Sequence, residues 1–259
     1  MDALIVAGGK PGPDDDLFPY TQGDPKSVIK MGNRTMLERV VDALQGSSQI
    51  EEIVVIGIGH DHGMTFKRPV HHLPDHGSLV ANAVAGIRWL LEHDPTPRPV
   101  LGASADIPTL TPEIVDQLIE TCRPFQHSLY YTVVTPEIME KRFPGSKRTY
   151  VRFQDHSVAG GDMFIFHTGL ANTNPDLLEA FSNARKHAWK LARIVGFRTL
   201  LKFLLHRLSL AEVEQTGERV LDGSVKVVLS PHAELAMDAD KPHQVELLQA
   251  EFQNDTGSS

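Results

Sequence analysis

Ala3-Leu4-Ile5-Val6-Ala7-Gly8-Gly9-Lys10 is the stretch whose reading decides the fold. Its apolar opening reads as a buried first strand. The glycine pair at the end of that strand predicts a turn at the carboxyl edge of a sheet, where open α/β folds place their ligands. Glycine there lets backbone N–H groups approach a phosphate or a base edge with no side chain in the way, a tight turn without a ligand being the alternative. The spacing is not that of a dinucleotide fingerprint, because Lys10 and Pro11 interrupt G-x-G-x-x-G. Nor is it a Walker A loop, because Leu4 stands where the first glycine of that motif belongs.

Outward from this strand, apolar runs rich in Val and Ile recur at 52–58, 69–73, 100–104 and 128–134, alternating with helical patterns at 34–44, 78–91 and 112–121. That alternation predicts parallel strands joined by crossover helices, an α/β class. Gly46 reads as the stop of the first of these helices, and Thr111 with Pro112 as the cap and first turn of the third. Beyond Val134 the pattern predicts strands at 150–153 and 163–167 flanking a loop at Gly160-Gly161, a helical insertion over 183–219, a last strand at 225–229 and a last helix at 245–252. One domain over 1–252 with a flexible tail at 253–259 follows.

The 259 residues, 41% hydrophobic and 22% charged, suffice for a sizeable core. A net charge of -8 argues against a nucleic-acid binder, which needs surplus Lys and Arg to displace phosphate counterions. No run approaches the roughly 18 apolar residues of a membrane span, and no basic segment precedes an apolar one at the start, so the cytoplasm is the expected address. The single cysteine, Cys122, excludes an internal disulfide and reads as a buried thiol in a helix.

Three further pieces carry chemistry. Pro25-Lys26 sets a cation after a fixed bend, suited to phosphates, although a solvated surface lysine is the plainer alternative. Asp106, in Ser104-Ala105-Asp106-Ile107-Pro108, follows a strand and should project at the same edge as the glycine turn. It reads as a metal ligand in preference to a turn residue. Mg2+ (or Mn2+) is held by one or two protein carboxylates together with phosphates and water, so a second carboxylate is expected. Asp238 and Asp240 offer it: at i and i+2 of an extended stretch both side chains face one way, although one of them could cap the following helix.

The A-G-G turn, the Pro-Lys, a G-x-x-x-x-N-A-x-x-G over 77–86, the D-x-P at Asp106, the Gly160-Gly161 pair and the late D-x-D-x-P together resemble the MobA-like nucleotidyltransferases. The resemblance implies a Rossmann-like GT-A type fold, with a mixed, mostly parallel sheet flanked by helices. It also implies transfer of a nucleotide from a nucleoside triphosphate, GTP or CTP, to a phosphorylated small-molecule acceptor. Ala7, Gly8, Gly9, Lys10 and Lys26 would hold base and phosphates, and Gly77, Ser78 and Asn82 would border base or ribose. Asp106, Asp240 and Asp238 would hold Mg2+, with Lys26 and Asp106 catalytic. Where that family usually has a G-x-x-x-R element, residues 10–24 here contain Lys10 and Asp14-Asp15-Asp16 but no arginine. A clamp on the triphosphate must then come from elsewhere, and the aspartates must face solvent or a metal. Two other readings stay open: a glycosyltransferase of the same fold using a nucleotide sugar, against which the late D-x-D weighs, and a non-catalytic nucleotide-binding protein.

Lys147 and Arg148, with Gly160, Gly161 and Asp162, read as contacts for an anionic acceptor, a surface charge pair being the alternative. Over 185–207 the formal charges are all basic and are interleaved with Trp189, Phe197, Leu200, Leu201, Phe203 and Leu204. Such a segment predicts packing on the core or on a second subunit, as in a homodimer, with contact to an anionic membrane surface as the minority reading. His60-Asp61-His62 and His71-His72 with His76 lack the spacing of a closed Zn site.

Overall fold

The computed structural model describes residues 1–172 and 194–253. Strands β1 (Ala3–Val6), β4 (Ile53–Ile56), β5 (His71–Leu73), β6 (Pro99–Ser104), β7 (Leu129–Val134), β9 (Ser157–His167) and β10 (Val225–Leu229) form one sheet in the order β10-β7-β9-β6-β1-β4-β5. A short β8 (Val151–Arg152) pairs with β9, and β2 (Lys30–Met31) and β3 (Arg34–Thr35) make a small separate hairpin. All neighbours on the main path run parallel except β9, which is antiparallel to both β6 and β7. The mixed, mostly parallel α/β sheet implied by the sequence is the one observed.

Both faces of the sheet are covered, which is why β1 is apolar at consecutive positions rather than alternate ones. Ala3 and Ile5 point into the cluster formed with α2 (Met36–Gly46) and α4 (Pro112–Cys122), while Leu4 points into the opposite cluster with α3 (Leu79–His93). The helix starts are specified locally. Thr35 caps α2 in a reciprocal capping box with Glu38, Ser78 Oγ accepts from Ala81 N at 3.1 Å at the start of α3, and Thr111 caps α4 ahead of Pro112. Gly46 is the last residue of α2 rather than the one after it, and Ser47 is the cap. Cys122 is buried on the core face of α4, and burial pushes its thiol up to about 12, so it stays protonated at neutral pH.

A third cluster joins α5 (Pro136–Arg142), the turn Ala233–Ala236 and α8 (Pro242–Glu251) to the hairpin. Of the insertion expected at 183–219, residues 183–193 lie outside the described residues. The remainder gives α6 (Phe197–Leu204) and α7 (Leu210–Leu221). Phe197, Leu201 and Leu204 of α6 are exposed. No helix among the described residues is long and apolar enough to cross a membrane.

The loop expected at Gly160-Gly161 is not a loop. Both glycines lie inside β9, which begins at Ser157. A Cβ on Gly161 would stand 2.1 Å from Thr132 Oγ1 and 2.9 Å from its carbonyl oxygen. A Cβ on Gly160 would stand 2.6 Å from Tyr131 Oη. The pair lets β9 close against β7 where the register between them shifts at Tyr131/Val133, a use of strand glycine that the sequence alone does not distinguish from a turn.

Candidate nucleotide and metal site

The parallel register brings the separate motifs to one edge. Val6 pairs with Ile56 on one side and with Ser104 on the other, so Ala7-Gly8, Gly57 and Ala105-Asp106 leave the sheet side by side. Gly8 and Gly57 touch through their backbones: a Cβ on Gly57 would lie 2.5 Å from Gly8 Cα. Gly57 also holds φ +98°, a conformation that a side chain disfavours. The turn is tied to the next segment by Lys26 N donating to Gly9 O at 3.0 Å and by Ser27 Oγ donating to Ala7 O at 2.9 Å.

The segment after β5 closes over Gly8. A Cβ there would stand 3.2 Å from Asp75 Cγ. Asp75 Oδ1 accepts from Asn82 Nδ2 at 2.9 Å and from Gly77 N at 3.0 Å, and the Asn82 bond, with lesser help from Gly77, holds its carboxyl below the usual range. Asn82 is buried and its Oδ1 accepts from His76 N at 2.7 Å. Asn82 thus fixes the loop 74–78, and Ser78 is engaged as the α3 cap.

Beside the glycine turn lies a compact set of opposed charges. Lys26 Nζ forms ion pairs with Asp106 Oδ2 and, at 2.5 Å, with Asp240 Oδ1. Burial alone would lower the pKa of this ammonium, and the two carboxylates more than reverse that, holding it above the ordinary lysine range. The Asp106 side chain is only 4% exposed and also accepts from the Ser104 hydroxyl, while the Asp240 side chain is 54% exposed and opens the site to solvent. Asp238 is paired with Arg148, and both side chains are largely buried. Asp162, in β9 one residue before the Ala103↔Met163 pair, is level with Ser104. Burial and then the Asp106 carboxylate push its carboxyl up to about 7, against the pull of Arg148.

Asp106, Asp238 and Asp240 each present an oxygen within 4.8 Å of the others, the single such group of potential ligands among the described residues. All-oxygen, carboxylate donors with one open side fit a hard divalent cation such as Mg2+ or Mn2+ that completes its shell with phosphate and water. Neither Asp238 nor Asp240 caps α8. The cap residue is Lys241, without a side-chain cap bond, and Asp240 N donates to Gln244 Oε1 at 3.1 Å. Ala239 N donates to Asp106 O at 3.2 Å, which ties the late motif to the middle one.

Of the residues singled out in the sequence, Lys26, Asp106, Asp238, Asp240, Arg148 and Asp162 meet here, bounded by Ala7, Gly8 and Gly9. Lys10 is exposed near Asp75, and Lys147 is exposed at φ +50°. Asp14, Asp15 and Asp16 face solvent, where Asp15 Oδ1 accepts from Leu17 N at 2.8 Å. Gly57 and Asp75 also stand at this edge, outside the residues that the sequence motifs single out. The signal for Gly57 was a glycine directly after a second parallel strand, and for Asp75 an acidic residue after a third. The histidines go elsewhere: His71 Nε2 lies 3.0 Å from Glu52 and His72 Nδ1 lies 2.9 Å from Ile58 O.

Residues 3–195 match the model of the MobA-like NTP transferase domain. A hypothetical transferase from Thermus thermophilus is 33% identical, with a TM-score of 0.79 over 94% of this chain and 98% of that one. A molybdenum cofactor guanylyltransferase from Rhodopseudomonas palustris is 31% identical over 119 residues, and the match spans 45% of this chain and about half, 51%, of that relative. A 4-diphosphocytidyl-2C-methyl-D-erythritol synthase from Anaerococcus prevotii shares the fold at 15% identity, with a TM-score of 0.55 over 97% of this chain and 95% of that one. With three quarters of its length under the family model and its motifs gathered at one sheet edge, the chain belongs to the MobA-like NTP transferase family, among the nucleotidyltransferases.

Proposed function

We propose that the protein transfers a nucleoside monophosphate from a nucleoside triphosphate to a phosphorylated small-molecule acceptor, with release of pyrophosphate. The observation that carries this reading is the Asp106, Asp238 and Asp240 oxygens within 4.8 Å of one another, beside Lys26 and the Gly8-Gly9 turn. Asp106 and Asp240 would hold Mg2+ or Mn2+, with Asp238 as a third donor. When bound, the ion offsets negative charge on the phosphates and orients them.

The chain's own groups do the remainder. Backbone N–H groups of the glycine turn face the triphosphate. Lys26 neutralises charge on the transferring and leaving phosphates. An acceptor phosphate oxygen attacks the α-phosphorus in line. The new P–O bond forms as the bond to the bridging α,β-oxygen breaks, and the electron pair leaves with pyrophosphate. The attacking oxygen is already ionised, so no general base is needed. Arg148, held at the site by its pairing with Asp238, is assigned to the acceptor together with Lys147 and Asp162. The Asp75 carboxylate over Gly8 favours a base edge made of N–H donors, as in guanine, so GTP is the expected donor over CTP.

Thermal shift with each of the four ribonucleoside triphosphates, with and without Mg2+, tests the reading. One triphosphate should stabilise the protein strongly and only with the metal, by roughly 2.7 kcal/mol at a hundred times its dissociation constant. Asp106→Ala should retain the fold by circular dichroism and lose turnover by at least about a hundredfold. A folded and active Asp106→Ala would end the assignment.

A further inference from the structure

Lys26 touches the very carboxylates that would hold the metal. Its ammonium lies against Asp106 Oδ2 and Asp240 Oδ1, the second at 2.5 Å, and these two belong to the group whose oxygens lie within 4.8 Å of one another. The third member, Asp238, already has its own cation in Arg148. Two of the three carboxylate charges are therefore offset by cations of the chain itself.

We propose that Lys26 is a resident counter-ion of the Asp106–Asp240 pair, and that a divalent cation takes the pair only together with a triphosphate that draws the ammonium away. The proposal rests on the reading above that this pair holds the metal. Its geometric basis is a fixed pivot with a free arm. The Lys26 backbone is pinned to the glycine turn by the bond to Gly9 O at 3.0 Å, and the next residue by Ser27 Oγ to Ala7 O at 2.9 Å. The four-methylene side chain is the moving part, 26% exposed, and it reaches the carboxylates from the same turn over which phosphates would lie. Ammonium and divalent cation repel each other at contact distance, so they compete for the pair. A triphosphate gives the ammonium a better anion and brings the metal with it. Metal and nucleotide then raise each other's affinity, as linkage requires.

Mn2+ binding to the full-length protein tests this without turnover, read by electron paramagnetic resonance as the loss of free aquo-ion signal beyond that of a protein-free control holding the same nucleotide analogue. Wild type should bind Mn2+ alone roughly tenfold or more weakly than with α,β-methylene GTP. Lys26→Gln should bind Mn2+ alone about tenfold more tightly than wild type does, and Lys26→Gln/Asp106→Asn should lose that gain. Equal affinity of wild type and Lys26→Gln for Mn2+ alone, with the site lost in the double variant, overturns the resident counter-ion and leaves the metal site standing. Mn2+ binding that ignores Asp106→Asn, or that is absent even with the analogue, overturns the metal site and the proposal with it. The wild-type comparison decides even where Lys26→Gln does not fold: Mn2+ held as tightly without the analogue as with it refutes the proposal.

Discussion

Asp162 carries a buried Oδ2 that finds no hydrogen-bond partner among the described residues. With its carboxyl pushed up to about 7 by burial and by Asp106, the folded chain holds a proton there that the unfolded chain, titrating near 3.9, has released. Over that window the native state binds more protons, so this residue makes stability fall as pH rises from about 4 to 7. In EDTA, urea unfolding should show Asp162→Asn more stable than wild type at pH 8, on the order of 1–3 kcal/mol, and little different at pH 4.5. At this scale the sequence disclosed the charged residues and not their pairings. Arg148 was read as an acceptor contact, and its burial against Asp238 follows from a chain closure across ninety positions that no local pattern encodes.

The elements that a periodic pattern or a cap specifies were legible. The β1 strand, the Ser78 start of α3 and the Thr111-Pro112 start of α4 all stand where their residues place them. Thr35→Ala, which removes one half of the α2 capping box, should lower stability by about 1 kcal/mol in urea unfolding. The start of β9 was illegible because its two glycines have the composition of a turn and the function of a close strand contact. The two should respond differently to alanine. At Gly161 the new Cβ would meet the Thr132 side chain and backbone, and a loss of roughly 1–3 kcal/mol is expected. At Gly160 it meets the tip of the Tyr131 side chain, which can swing aside, so Gly160→Ala should cost less than Gly161→Ala in the same assay.

Across the whole molecule, the two ends of the sheet have different uses for charge. At the carboxyl edge, Lys26 and Arg148 are set against Asp106, Asp238 and Asp240. At the amino edge, Arg98 donates to Asp2 Oδ2 from Nε at 2.9 Å and from Nη2 at 2.8 Å, and to Asp94 O at 2.8 Å, tying the start of β6 to the start of β1. Arg98→Ala should therefore destabilise the fold, by on the order of 2 kcal/mol in urea unfolding, while leaving triphosphate affinity by thermal shift unchanged in the folded fraction. The sheet and its polarity could be read from strand–helix alternation, but the Arg98–Asp2 tie could not, since its partners are 96 positions apart. The reversed strand β9 has a wider consequence. A uniformly parallel sheet offers its working edge only strand endings, each committed to the crossover that follows. β9 instead arrives at that edge by its beginning, preceded by the β8 ribbon and residues 144–150. Under the proposed function, the groups assigned to the acceptor hang on a separate span of chain from the glycine turn assigned to the nucleotide. Rewriting that span should then alter the choice of acceptor and leave the nucleotide turn as it was.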